Sequence, residues 1–154
     1  MKKTIELLFL IALLGCNSNK TETSAKQALA VEIKLKKTEF VTGENIVVSF
    51  SVKNHSDENK KFCIWQTPLE GKITGNIFEI ELLSKVIEYQ GIMIKRGEPQ
   101  GADSVSLASK GFIEKEIIIN QSYDLKSSGQ YKIRFLGRPV NGLPDSDFVD
   151  FTIK

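Results

Sequence analysis

The chain has 154 residues, with 21 Lys and Arg against 19 Asp and Glu, one His and two Cys, for a formal net charge of +2. A near-neutral balance with no long basic run gives no reason to expect nucleic acid as a partner. A chain of this length can carry a hydrophobic core without disulfides.

Residues 1–15 read as a leader, separate from the fold. Lys2 and Lys3 form a short positive region, and residues 5–14 are apolar except for Glu6. About ten apolar residues are too few to cross a bilayer, which takes about twenty. They suit the core of a secretory signal. Leu13-Leu14-Gly15-Cys16 resembles a bacterial lipobox, in which cleavage leaves the Cys as a diacylated N-terminus. An ordinary signal peptide with a chance Cys is the alternative. Residues 17–26 include no large apolar side chain, so residues 16–27 are expected to be a lipidated Cys16 and a flexible tether. Loss of the leader removes two positive charges and one negative, lowering +2 to +1. With Cys16 held by lipid, Cys63 has no disulfide partner in the chain. It lies in Phe62-Cys63-Ile64-Trp65 and reads as a small buried hydrophobe. The expected location is the bacterial cell envelope, anchored by lipid. Asn17 after the Cys favours the outer membrane under enteric-type sorting.

Residues 28–154 make one domain. Residues 29–35 alternate apolar and charged, with Leu29, Val31, Ile33 and Leu35 on one side, which predicts a half-buried strand. A turn at 42–45 precedes a second alternating run, 46–52, with Ile46, Val48, Phe50 and Val52 inward. The polar segment 54–61 is a loop. Residues 62–65 form the next strand, closed by Thr67-Pro68. Residues 77–83 follow, and 85–89 look like the return arm of a short hairpin. Ile92-Met93-Ile94 is a further apolar segment, and 96–103 has the Gly, Pro and Asp content of an irregular loop. Residues 105–107, 112–119, 129–135 and 148–153 complete the strands, with a long loop at 137–146.

No long helical period, internal repeat or second domain interrupts the pattern. About seven to nine short strands at regular spacing predict an all-β, immunoglobulin-like antiparallel β-sandwich. Trp65 would be the core Trp of the third strand. Tyr131, just after the turn 125–129, has the position of a tyrosine corner. Phe50 or Val48, with Ile133, would take the places that antibody domains give to their disulfide. The expected structural core is therefore Phe50, Trp65, Tyr131 and Ile133.

The catalytic inventory is thin. His55 is the sole histidine and sits in a polar loop, where it reads as solvated. A zinc site draws three or four ligands, commonly with two His close in sequence. No His-Glu-x-x-His, Cys pair or phosphate-binding Gly loop is present, so no metal or cofactor is expected. Glu70, Glu98 and Asp103 lie in loops, and two carboxylates suffice for glycoside hydrolysis. None of their spacings is diagnostic. Asp103, Asp145 and Asp147 could offer loop oxygens to calcium, again without a supporting spacing. By its residues the domain reads as a binder.

Trp65-x-Thr67-Pro68-Leu69-Glu70-Gly71 and Gly75-x-Ile77-Phe78-Glu79-Ile80 are similar to the N-terminal, pro-domain-like module of deuterolysin-type metalloendopeptidases, including the peptidyl-Lys group. The likeness continues through Tyr89-x-Gly91, Lys95-Arg96-Gly97-x-Pro99, Asp103, Leu107, Tyr123-Asp124-Leu125 and Gly129-x-Tyr131-x-Ile133-Arg134. It departs at Ser104, where the family has Tyr, and at residues 107–111, where the family turn reads Leu-x-Pro-Gly. The family's zinc peptidase domain has no counterpart here. The resemblance therefore implies an Ig-like module that accompanies and restrains a peptidase, without peptidase activity of its own.

The expected function is a non-catalytic, lipid-anchored binding module, in its sharper form an inhibitor or chaperone of a separate secreted metallopeptidase. Thr67, Pro68, Leu69, Glu70, Tyr89, Met93, Lys95, Arg96, Pro99 and Asp103 are the candidate contact residues. The prolines limit loop entropy, Leu69 and Met93 offer apolar contact, and Lys95 and Arg96 offer charge-assisted hydrogen bonds. Each has an equal structural reading: Thr67-Pro68 as a turn, Glu70 as a cap, Lys95-Arg96 as a solvated pair. The alternatives are an envelope hydrolase, either carboxylate-based through Glu70 and Asp103 or a residual peptidase, or a scaffold or carbohydrate-binding lipoprotein using an exposed Trp65.

Overall fold

A computed structural model describes residues 27–154. The leader, Cys16 and most of the tether lie outside the described residues. Ten strands form in chain order: β1 (Leu29–Leu35), β2 (Glu39–Phe40), β3 (Val47–Asn54), β4 (Lys60–Cys63), β5 (Phe78–Leu82), β6 (Lys85–Val86), β7 (Ser104–Leu107), β8 (Phe112–Ile118), β9 (Gly129–Phe135) and β10 (Val149–Ile153). They build three sheets, ordered β1-β3-β8, β2-β10-β9-β5-β6, and β4-β7. Two single-turn 3-10 helices, Pro68–Glu70 and Gly101–Asp103, are the helical elements among the described residues.

Alternation in the sequence sets which side of each strand is buried. Val48, Phe50 and Val52 of β3 and Ile133 and Phe135 of β9 are fully inaccessible. Phe50 and Phe135 meet between the first two sheets with ring centroids 4.8 Å apart. On the other side of β9, Lys132 pairs with Glu81 at 3.1 Å and Arg134 with Glu79 at 2.5 Å. Both cations also lie over the Phe148 ring, at 4.5 and 4.8 Å from its centroid. Phe148 belongs to that outer side: β10 starts at Val149, and its inward residues are Phe151 and Ile153.

Three tyrosines tie loops to this frame. The Tyr131 hydroxyl donates to Ser127 O at 2.7 Å, the turn-pinning bond expected from its position. Tyr123, which is buried, accepts from Phe78 N–H at 3.0 Å and reaches Asn76 Oδ1 at 3.0 Å. Tyr89 stacks edge-on against Tyr123 at 5.4 Å and bridges to it through the backbone.

Several expectations are corrected. Strand β4 ends at Cys63, so Trp65 is not a core residue of a third strand; it stands half-buried in the turn that follows. The hydroxyl of Thr67 takes Ile64 O, which bends the chain before Trp65 can enter the sheet. Two-residue β2 pairs parallel to β10, so the sheets are not wholly antiparallel. Residues 87–94 form no strand, and β6 is two residues long. The turn before β6 places Leu83 and Ser84 at φ of +50° and +67°, the doubly left-handed geometry of a tight hairpin.

Burial pushes the pKa values of Tyr123, Tyr131 and Tyr89 upward. An unfolded tyrosine ionises near pH 10, whereas Tyr123 stays neutral in the fold. The stability that this supplies is complete below about pH 10 and is lost as pH rises beyond it. The guanidinium midpoint should therefore fall between about pH 9 and pH 11, and it should fall less steeply in Tyr123→Phe. An equal fall in both proteins would contradict this.

Candidate functional site

The segment 64–74 is a corner built around one carboxylate. Thr67 is fully buried and caps the turn from inside. Its hydroxyl donates to Ile64 O at 2.6 Å and accepts from Leu69 N–H at 3.2 Å. Pro68 suits the first helical position because its φ is fixed and its missing N–H would have no partner there. Gly71 ends the turn at φ +78°, a left-handed conformation that favours glycine, and its N–H returns to Pro68 O at 2.9 Å.

Glu70 gathers the surrounding donors. Its Oε2 accepts from Gln66 N–H at 2.8 Å and from the Thr74 hydroxyl at 2.7 Å. Its Oε1 pairs with the Arg96 guanidinium, which also reaches Thr74 Oγ1 at 3.3 Å. The Glu70 side chain is 8% exposed and that of Arg96 22%. Gln66 is held at φ +55°, uncommon for a residue with a side chain, and the bond to Glu70 secures it there. From the far loop, buried Asn141 directs its amide toward Trp65 O and Gln66 O, both at 3.4 Å. Arg96 lies over the Trp65 ring, 4.8 Å from its centroid. One face of that indole is thus covered by a cation.

The same contacts fix the second loop. The Tyr89 hydroxyl donates to Ile92 O at 2.6 Å, Ile94 N–H donates to Thr74 O at 3.1 Å, and Arg96 closes onto Glu70. Gly91 allows this fold-back, since a Cβ there would lie 2.5 Å from the Tyr89 hydroxyl oxygen. Between these anchors Ile92, Met93 and Ile94 stand 65, 76 and 39% exposed. Three adjacent apolar side chains are held in water on a fixed base.

The predicted contact residues divide accordingly. Thr67 and Pro68 are buried, Leu69 packs partly on the core, and Glu70 is occupied. Tyr89 is half-buried and anchors the loop. Asp103 is bound locally: its carboxylate accepts from Gln100 N–H at 2.8 Å and its carbonyl from Ile64 N–H at 2.8 Å. Met93, Lys95 and Pro99 are exposed, and Arg96 is half-buried in the clamp. Sequence reasoning missed Ile92 and Ile94 as exposed residues, and Thr74 and Asn141 as supports. Cys63 is buried and His55 exposed, as their segments suggested. Among the described residues no group of three or more His, Cys, Asp or Glu is placed to share a metal ion.

No protein-family profile matches the chain. It is similar to an extracellular protease of Aeromonas hydrophila, 26% identical over 93 residues, covering 60% of this chain and 26% of that protein. The chain thus spans about a quarter of that relative's length. Among solved structures, an alkylpurine DNA glycosylase of Pseudomonas fluorescens bound to abasic-site DNA aligns over 82% of this chain and 30% of its own, with 13% identity and a TM-score of 0.46. A mutant β-glucosidase of Listeria innocua in complex with laminaribiose aligns over 82% and 16%, with 13% identity and a TM-score of 0.40. At these scores neither structure bears on fold or function.

Removing the hub should loosen both loops. Glu70→Ala leaves Arg96 and the Gln66 N–H unpaired in a mostly buried site, a loss of about 3 kcal/mol. Its denaturation midpoint should drop, and Trp65 fluorescence should become more accessible to iodide. Wild-type stability and quenching in this variant would show that the carboxylate is not holding the corner.

Proposed function

We propose that the chain is a non-catalytic binding module of the bacterial envelope, anchored through lipid on Cys16. In this proposal it is an immunoglobulin-like sandwich that acts in trans, as a pro-domain-like inhibitor or chaperone of a secreted metallopeptidase. The observation that carries it is the exposed Ile92-Met93-Ile94 tip on its three anchors. Exposed apolar side chains on an ordered base bind at low entropic cost, because the loop is already in place before the partner arrives. The partial similarity to an extracellular protease supports a secreted setting and a link to proteolysis. The Tyr131 corner and the Phe50–Phe135 contact support the sandwich class.

The occupied carboxylates favour binding over hydrolysis. Glu70 already accepts from three groups, and an acid or nucleophile needs a free oxygen aimed at substrate. Asp103 is likewise turned onto its own loop. Trp65, with Arg96 across one face, offers less ring to a sugar than a free indole would. Two acyl chains on Cys16 would hold the domain stably, where one gives only marginal attachment.

The test is capture from envelope extract by the full-length lipidated chain. The chain should recover a zinc-dependent peptidase and slow it, and Met93→Glu should lose at least about tenfold in capture, since a buried charge replaces an apolar contact. Met93 is exposed, so the variant should keep the wild-type thermal midpoint. Recovery of no peptidase, or equal capture by Met93→Glu, would overturn the proposal.

A further inference from the structure

Among the described residues the only sulfur atoms are those of Cys63 and Met93. The fold treats them oppositely. Cys63 is 8% exposed at the end of β4, where its sulfur accepts from Trp65 N–H at 3.4 Å. Met93 is 76% exposed at the crest of the anchored tip. Its neighbours are less open. Ile92 lines a cavity of about 410 Å³ beside β8, together with Ile73 and Ile117, and Ile94 is 39% exposed. Met93 is not part of that lining.

None of the three anchors uses the Met93 side chain. The Tyr89 hydroxyl donates to Ile92 O, Ile94 N–H donates to Thr74 O, and the ion pair closes on Arg96. Met93 also stands outside the apolar core and the half-buried side chains packed on it. A change at its sulfur therefore alters the chemistry of the tip and leaves the support in place. A thioether has no proton to lose, so it reacts with an oxidant without prior ionisation, and access sets its rate. Thiol oxidation follows thiolate character and exposure, and a buried structural Cys is inert. Exposure thus selects Met93 over Cys63.

We propose that Met93 is an oxidation site that switches the tip off, with hydrogen peroxide as the oxidant. The proposal rests on the binding-module reading and adds its regulation. In the step, a sulfur lone pair attacks one peroxide oxygen, and an S–O bond forms as the O–O bond breaks. The thioether loses two electrons and the peroxide gains them. The departing hydroxide takes the proton of the transferred oxygen and leaves as water. The product, methionine sulfoxide, is polar and carries an acceptor oxygen between two isoleucines. A partner surface shaped for apolar contact would bury that oxygen without a donor, which weakens binding. In the unbound chain the oxygen stays in water, so the fold is unaffected. A thiol-dependent sulfoxide reductase restores the thioether with two electrons and two protons, releasing water.

The test is peroxide treatment of the full-length chain in detergent, with peptide mapping by mass spectrometry and then capture from envelope extract once the peroxide is removed. One oxygen should appear on Met93 at the rate of a short methionine peptide, while the Cys63 thiol stays intact and the thermal midpoint does not move. The oxidised chain should capture the peptidase at least about tenfold less well than the untreated chain. Enzymatic reduction of the sulfoxide should restore capture. Met93→Leu keeps an apolar tip without sulfur, so it should capture the peptidase and continue to do so after peroxide. Oxidation of Cys63 before Met93, a fall in the thermal midpoint, or equal capture by the oxidised chain would overturn the switch and leave the binding module standing. Loss of capture by peroxide-treated Met93→Leu would do the same, because the damage would then lie elsewhere. An untreated chain that captures no peptidase would overturn the binding module, and the switch with it, whatever the state of Met93.

Discussion

The Glu70 carboxylate is the constraint on which the surface depends. One side chain joins a left-handed residue before it, a threonine four residues after it and an arginine from a separate loop. Such a group is costly to bury unless its oxygens are filled, and here both are. The arrangement makes the two loops a single body. If Glu70 holds Arg96, then Arg96 covers Trp65, Thr74 receives Ile94, and the apolar tip has one place to be.

Rigid support explains how a domain can carry exposed isoleucine and methionine without burying them against itself. Tyr89 is pinned to Ile92 and stacked on Tyr123, which in turn is bonded to β5. The tip thus hangs from the core through aromatic contacts at one end and an ion pair at the other. Ile92 belongs both to this tip and to the cavity beside β8, so the two surfaces are continuous.

The frame was legible because period-two alternation fixes which side of a strand is buried, as in Val48-x-Phe50-x-Val52 and Tyr131-x-Ile133-x-Phe135. The spacing of Tyr131 from its turn was also legible, since that bond is local. Trp65 was misjudged because its neighbours Phe62 and Cys63 are strand residues, while the bend is made by a bond from Thr67 to Ile64 that composition does not announce. The role of Glu70 was open between cap and contact, and only the approach of Arg96, from 26 residues along the chain, decides it. Ile92-Met93-Ile94 was visible as apolar, but apolar runs are ordinarily inward. Its exposure follows from three anchors, at Tyr89 and at Thr74 and Glu70 of the separate corner, which one stretch of sequence cannot express.

If the tip at Met93 meets another protein in the envelope, as proposed, site-specific photo-crosslinking will trap that contact. A benzophenone amino acid at position 93 of the full-length chain, irradiated in intact cells, should give one covalent adduct with an envelope or secreted peptidase. The same label at exposed Val41, outside both the corner and the cavity, should give none. Adducts with lipid alone, or no adduct at Met93, would contradict the account.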